Sequence, residues 1–210
     1  MDTATIAAAT GYFASALGVA MVVPQILRTL RDRRRPGVSA LSWALTAIAC
    51  TAWLFYGIRA AELPQIPGNV LLVSGAVVVV LLVPSGVPQF LRALGLVAAA
   101  TLIGVVAFVA PPAVIGGIGG AIGVVSGLPQ LVRSLRRTAS LSAVSPLTWA
   151  LRAASQASWL SFALMLDDVV VAISATFLLA NALVVLLLET TRRPVVTIES
   201  LAVVEQQLAA

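Results

Sequence analysis

The sequence contains no histidine and no lysine, and Cys50 is its single cysteine. Without histidine, it lacks the commonest general base and the commonest metal ligand. One cysteine can form neither an intrachain disulfide nor a thiolate metal site. None of the eight carboxylates lies in the middle of a hydrophobic stretch. We therefore expect no catalytic residue, no metal site and no cofactor, and we predict that the protein is not an enzyme.

Charge is also scarce. Only 10% of the 210 residues are charged, 60% are hydrophobic, and the mean hydropathy is +1.05. Soluble domains carry about 25% charged and about 45–50% apolar residues, so an ordinary soluble domain is excluded and the lipid bilayer is the predicted surrounding. The net charge of +5 rests on arginines in an apolar chain, which indicates topology marking and not nucleic-acid binding.

Seven stretches are apolar enough to cross a membrane, whose hydrocarbon core needs roughly 20 residues of helix. They are residues 5–27, 38–58, 66–84, 92–110, 112–132, 145–166 and 168–188. Eleven of the 13 arginines fall in the loops and tail on one side of this arrangement. Because short cytoplasmic loops are rich in arginine, we predict an outside N-terminus and a cytoplasmic C-terminus in a plasma membrane.

An internal repeat relates the two halves of the chain. The stretch VVPQILRTLRDRRRPGVSALSWAL recurs as SGLPQLVRSLRRTASLSAVSPLTWAL, at an offset of 105 residues that becomes 106 after one inserted residue. Beyond it, Trp53 aligns with Trp159 and Tyr56 with Phe162. Each copy holds three spans and carries its arginine-rich loop after the first, so both point the same way and one more crossing lies between them.

The predicted fold class is therefore an all-α membrane protein with seven transmembrane helices, in which two parallel three-helix-bundle repeats are joined by an inverting linker helix (3+1+3). The predicted boundaries are 1–85 for the first repeat, 86–111 for the linker helix, 112–190 for the second repeat and 191–210 for a cytoplasmic tail.

Prolines mark one end of the first span in each repeat. Pro24-Gln25 and Pro129-Gln130 occupy equivalent positions, and proline removes an intrahelical hydrogen bond and bends a helix. We interpret these pairs as hinges. The alternative is that each proline ends its span before a basic loop.

Tryptophan and asparagine predict a substrate pocket. Trp53 lies deeper than the interfacial belt where tryptophan usually sits, and Asn69 follows in the next span. These residue types suit a sugar, whose ring stacks on an indole and whose hydroxyls pair with an amide. The alternatives are that the tryptophan belongs to an aromatic belt and that the asparagine packs against another helix. Further candidates for this pocket are Trp159, Cys50, Gln156, Thr176 and Asn181.

An outer gate is predicted where the second span of each repeat ends. Tyr56, Arg59 and Glu62 follow Trp53 there, and Phe162 and Asp167 hold similar positions in the second repeat. A solvated loop beside an aromatic belt is the alternative.

Arg152 stands two turns into its span. The simplest expectation is that its side chain snorkels to the cytoplasmic face. A role in a site for an anionic substrate stays open.

These residues resemble the PQ-loop transporters and, among them, the SWEET sugar facilitators. The resemblance covers both repeats and rests on the Pro-Gln pairs, on the loop RRRPGVSALSW and on the Trp53 and Asn69 pair. It implies alternating access, a small-molecule substrate, an outer gate and a hinge proline in the second helix of each repeat. Pro146 fits that hinge, but its counterpart is Ala40; Ala175 stands where a second asparagine is expected.

The leading hypothesis is a uniporter for a small neutral sugar, because the spans hold no carboxylate or histidine for a proton relay. An amino-acid carrier of the PQ-loop type is the second hypothesis. The third is a receptor or assembly protein that uses the same fold without transport. Homo-oligomer formation stays open.

Overall fold

The computed structural model describes residues 2–31, 40–136 and 146–191. The predicted tail beyond residue 191 lies outside this range. The described residues form seven helices: α1 Thr3–Arg31, α2 Ala40–Arg59, α3 Gln65–Leu82, α4 Gln89–Val109, α5 Pro112–Arg136, α6 Pro146–Met165 and α7 Val169–Thr191. Each corresponds to one predicted span, so the seven-helix prediction is confirmed.

Five of these seven helices are long and apolar enough by themselves to cross a membrane, namely α1, α2, α3, α4 and α7. In α5, the described residues Pro112–Leu128 form a shorter apolar stretch. Helix α6 carries Arg152, Gln156 and several serines, which lower its hydropathy.

The helix contacts show a pseudo-twofold arrangement. Helix α3 packs against α1 and α2, and α7 packs in the same way against α5 and α6. Between the repeats, α1 packs against α6 and α2 packs against α5. Exchanging α1–α3 for α5–α7 reproduces this set of contacts, as expected for two parallel repeats.

Glycine allows close approach at equivalent points of the two contacts between repeats. A Cβ atom on Gly11 of α1 would lie 2.9 Å from the ring of Phe162, and one on Gly116 of α5 would lie 2.8 Å from the ring of Tyr56. Both distances are shorter than a Cβ atom tolerates, so glycine is required at both positions. Gly11 and Gly116 are 105 residues apart, which is the offset of the repeat.

The linker helix α4 is fastened to the first repeat at both of its ends. The guanidinium of Arg59, at the end of α2, donates to the Ala107 carbonyl near the end of α4. At the other end, Arg92 of α4 donates to the Val83 carbonyl at 2.7 Å and also to the Val80 carbonyl. These bonds satisfy carbonyls that a helix end leaves without an intrahelical partner. Helix α4 also packs against α5, its contact with the second repeat.

The two ends of the bundle differ in charge. The end of the bundle that carries Arg31 and Arg92 is called the basic end. The end that carries Glu62, Asp167 and Asp168 is called the acidic end. At the acidic end, buried residues of both repeats and α4 form one hydrophobic core around Tyr56, Ile115 and Phe162. A second core, around Trp149, lies within the second repeat. The described residues contain no comparable core that joins the repeats at the basic end.

Candidate functional site

A cavity of about 250 Å³ lies between the two repeats. Five of the predicted pocket residues line it: Cys50, Trp53, Asn69, Gln156 and Trp159. Helices α1, α2, α3, α5, α6 and α7 all contribute to its wall, whereas the linker helix α4 does not. The cavity therefore lies on the pseudo-twofold axis, and equivalent helices of the two repeats form its opposite sides.

The two tryptophans of the cavity have matching surroundings. The Trp53 ring meets the Tyr56 ring edge-on, with centroids 5.5 Å apart and planes at 85°. In the second repeat, the Trp159 ring meets the Phe162 ring at 5.4 Å and 89°. Each tryptophan thereby packs against the aromatic residue one turn further along its helix.

The two amide side chains in the repeats' facing walls, Asn69 and Gln156, differ in their hydrogen bonds. The Asn69 Nδ2 donates to the Gln65 carbonyl at 2.8 Å, which fixes the amide while its carbonyl oxygen stays available as an acceptor. Gln156 makes no hydrogen bond to any described side chain or backbone group. Ser155 of the wall donates to the Ala14 carbonyl and thereby ties α6 to α1.

Two of the predicted pocket residues do not line the cavity. Thr176 is exposed on α7, and its hydroxyl donates to the Ala172 carbonyl at 2.8 Å. Its neighbour Ala175 is the residue that faces the cavity, and one residue along a helix turns a side chain by about 100°. Asn181 is half-buried and lies beside Gly127 of α5, nearer the basic end.

A hydrogen-bonded cluster lies at the acidic end of the cavity, where Gln65 of the wall contacts it. The Tyr56 hydroxyl donates to Asp168 Oδ2 at 2.8 Å and so joins the two repeats. Asp168 Oδ1 accepts from the backbone of Val170 at 3.0 Å and of Val171 at 3.1 Å, and thereby caps the start of α7. The aspartate is thus held in place by its own helix while it accepts the bond from the other repeat.

Glu62 joins the same cluster from the loop between α2 and α3. Its carboxylate accepts a hydrogen bond from Gln65, a residue of the cavity wall. The pKa of Glu62 is raised from 4.5 to about 8, first by burial and then by the hydrogen bond to Asp168 and the charge of that residue. Glu62 therefore keeps its proton near neutral pH and can donate it to Asp168.

The sequence-predicted gate differs from this cluster at two residues. Arg59 turns away to the Ala107 carbonyl of α4. Asp167 is exposed and has a positive φ of 57°, so it forms the turn before α7 and Asp168 takes the position that faces Tyr56. The repeat offset contains the missed signal: Asp168 lies 106 residues after Glu62, and Ala61, the counterpart of Asp167, has a φ of 58°.

The hinge residues are described only in part. Helices α1 and α5 continue through Pro24 and Pro129, to Arg31 and Arg136, so neither proline ends its helix. The side chains of Pro24, Gln25, Pro129 and Gln130 lie outside the described part of the chain. Pro146 is the first residue of α6, a position where proline removes no intrahelical hydrogen bond.

Arg152 lines the cavity. Its guanidinium stacks on the ring of Trp149, with the central carbon 5.3 Å from the ring centroid. Trp149 itself is buried in the core of the second repeat. Sequence reasoning could not choose between a snorkelling side chain and one that faces the cavity, because the choice depends on which neighbours surround α6.

A comparison with solved structures identifies the arrangement. The structure of a eukaryotic SWEET transporter superposes on this chain with a TM-score of 0.71 at 15% sequence identity, and the match covers 88% of this chain and 97% of that one. This chain has the SWEET fold. No protein-family model and no curated sequence matches it. The SWEET fold confirms the 3+1+3 arrangement of a multi-pass membrane protein, although so few identical residues are shared.

Proposed function

We propose that the protein is a facilitative transporter that moves a small sugar-like solute by alternating access. The observation that carries the proposal is the position of the cavity. It lies between two repeats that are bonded together at the acidic end by Tyr56 and Asp168 and share no described core at the basic end. Rocking of one repeat against the other would break the first contact and close the opposite side.

The lining of the cavity supports a sugar. Trp53 and Trp159 offer two rigid apolar faces, and Asn69 and Gln156 offer amide groups between them. Sugar rings present CH groups to aromatic faces and hydroxyls to amides. A volume of about 250 Å³ lies just below the roughly 300–1,000 Å³ of pockets for drug-sized ligands. A single sugar ring therefore suits the cavity better than a disaccharide.

The mechanism that we propose is uniport. No carboxylate lies in the described lining of the cavity, and proton-coupled carriers keep such a group inside the membrane as a relay. Glu62 lies beyond the wall, in the cluster that closes the acidic end. A zwitterionic amino acid is the poorer substrate, because its ammonium group would find no negative partner in this lining.

The orientation is also a proposal. We infer that the basic end faces the cytoplasm of a cell bounded by a plasma membrane, because short cytoplasmic loops are rich in arginine. The cavity would then be closed to the outside. Labelling of single cysteines introduced at Asp2 and at Arg92, on opposite ends of the bundle, tests this in intact cells, with Cys50 replaced by alanine.

Uptake of a labelled monosaccharide into proteoliposomes tests the function. We expect Trp53→Ala and Asn69→Ala each to abolish equilibrative uptake while the protein stays monodisperse in detergent. The matched control is Trp43→Ala, which removes the same ring from the same helix outside the cavity wall. Unchanged uptake by both cavity variants, or no uptake of any sugar by the wild-type protein, would contradict the proposal.

A further inference from the structure

The cavity wall carries a charge that the transport of a neutral sugar does not use. Arg152 is the one charged residue among the described residues that line it. Its guanidinium forms no hydrogen bond or ion pair with any described residue, and its contact is the stacking on Trp149. Arg59 and Arg92, by contrast, donate to backbone carbonyls at helix ends.

An unpaired arginine inside a membrane protein points to a ligand. Arginine stays protonated in proteins, and ionisable residues within spans are costly and usually mark a substrate or ion pathway. The carboxylates around the cavity have other partners. Glu62 bonds to Gln65 and Asp168 to Tyr56 at the acidic end, and Glu189 bonds to Ser134 between α5 and α7. Among the described residues, the lining thus has a net positive charge and no counter-ion.

Arg152 shares one face of α6 with the residues that suit a sugar. Gln156 follows it by four residues and Trp159 by seven, the spacings that place side chains on one side of a helix. The three residues line the same cavity, with the cation about 10 Å along the helix axis from the indole. A solute seated there would meet a cation, an amide and an aromatic face in order.

We propose that the solute is a monosaccharide-sized sugar acid, whose carboxylate pairs with Arg152 while its ring lies between Trp53 and Trp159. This inference rests on the proposed transport function and specifies its substrate class. A planar guanidinium binds a carboxylate through two parallel hydrogen bonds. One cation balances one negative charge, so a monoanion suits the cavity better than a doubly charged phosphate ester.

The charge lies on one side of the pseudo-twofold axis only, and this gives the solute one orientation. The position equivalent to Arg152 in the first repeat, 106 residues earlier, is Thr46, which also lines the cavity. The Thr46 hydroxyl donates to the Ser42 carbonyl at 3.0 Å. The charge therefore belongs to α6 alone, and a sugar acid binds with its carboxylate toward the second repeat.

The single cysteine of the chain provides a direct binding assay. Cys50 lines the same cavity, so a bound solute shields its thiol from a maleimide reagent. In the full-length protein in proteoliposomes, we expect glucuronate to protect Cys50 at concentrations at least tenfold lower than glucose. Because a hydrogen bond to a charged group contributes about 1.5–3 kcal/mol, Arg152→Gln should weaken protection by glucuronate about 10- to 100-fold and leave glucose nearly unchanged.

Two further variants complete the test. Arg31→Gln removes an arginine that lies exposed at the end of α1, and we expect it to keep the wild-type preference. The exchange Arg152→Thr with Thr46→Arg moves the cation to the equivalent wall, and we expect it to restore part of the preference for glucuronate.

Equal protection by glucuronate and glucose in the wild-type protein, or an unchanged preference in Arg152→Gln, would overturn the sugar-acid inference and leave the transport proposal standing. Failure of every sugar, acidic or neutral, to protect Cys50 or to be transported would overturn both.

Discussion

The two repeats share a backbone plan but turn different side chains toward the cavity between them. Trp53 and Trp159 are the same residue in the same aromatic setting. Asn69 faces the cavity opposite Ala175 of the other repeat. The aromatic pairs and glycines that hold the helices together are repeated, whereas most of the polar groups that a solute can reach are present once. The comparison indicates that the packing contacts preserve the symmetry and that the polar groups of the cavity break it.

Serine and glycine exchange places where the first and third helices of each repeat meet. In the first repeat, Ser15 of α1 packs against Gly68 of α3. In the second, Gly120 of α5 packs against Ser174 of α7. Each contact has room for one hydroxymethyl group, and either helix can supply it. The repeats therefore preserve the fit of the contact and not the residue at each position.

The largest effect is expected from breaking the close contacts between the repeats. Gly116→Ala puts a methyl group 2.6 Å from Val170 and 2.8 Å from the Tyr56 ring, and overpacking of this kind costs about 2–3 kcal/mol. Gly117→Ala, one residue further along α5, has open space around it and should be neutral. Thermal unfolding in detergent measures both. Gly11→Ala should match Gly116→Ala if the symmetry governs packing.

The next effect comes from making the two aromatic residues at the acidic end identical. Tyr56→Phe gives the first repeat the phenylalanine that the second has at residue 162, and it removes the hydroxyl that donates to Asp168. A hydrogen bond to a charged group contributes about 1.5–3 kcal/mol, so the closed acidic end should become less stable. Modification of an introduced cysteine at Ile115, in the core at this end, should speed up more than tenfold. An unchanged rate would show that the bond does not hold the two repeats together at this end.

A pH dependence should follow from Glu62. Its pKa is raised from 4.5 to about 8 in the folded protein, so the folded state holds one more proton than the unfolded state between these values. Stability should therefore fall as pH rises through this window, by at most about 1.4 kcal/mol per pH unit. Glu62→Gln should flatten the profile of melting temperature against pH. Asp167→Asn, at an exposed carboxylate, should keep the wild-type slope.

The smallest net effect is expected from exchanging serine and glycine in the first repeat. Gly68→Ser alone brings a second side chain into the space that Ser15 already fills, and it should destabilise the protein by about 1–3 kcal/mol. Adding Ser15→Gly recreates the arrangement of the second repeat. We expect the double variant to unfold within about 0.5 kcal/mol of the wild-type protein. Additive losses in the double variant would disprove this compensation.

The sequence predicted the features that depend on hydropathy and repetition. Seven helices, their parallel repeats and the tryptophan pair all follow from apolar length and from the 105–106 offset. It failed where the direction of one side chain decides the outcome. Thr176 and Ala175 differ by one residue, and only the packing of α7 shows which faces the cavity. Asp167 has a left-handed backbone conformation, so the next residue, Asp168, is the one that faces Tyr56. The residue types alone do not reveal this conformation.

Fastening α4 to the first repeat divides the molecule into unequal mechanical parts. Arg59 and Arg92 tie both ends of α4 to α2 and α3, while its contact with the second repeat is through α5. The first repeat and α4 thus form a connected unit of four helices beside the three helices of the second repeat, and in the alternating-access mechanism that we propose α5 would slide along α4. The outer side of α4, with Phe108 and Leu102 largely exposed, would then offer the lipid a surface that keeps its place on the first repeat during the transport cycle.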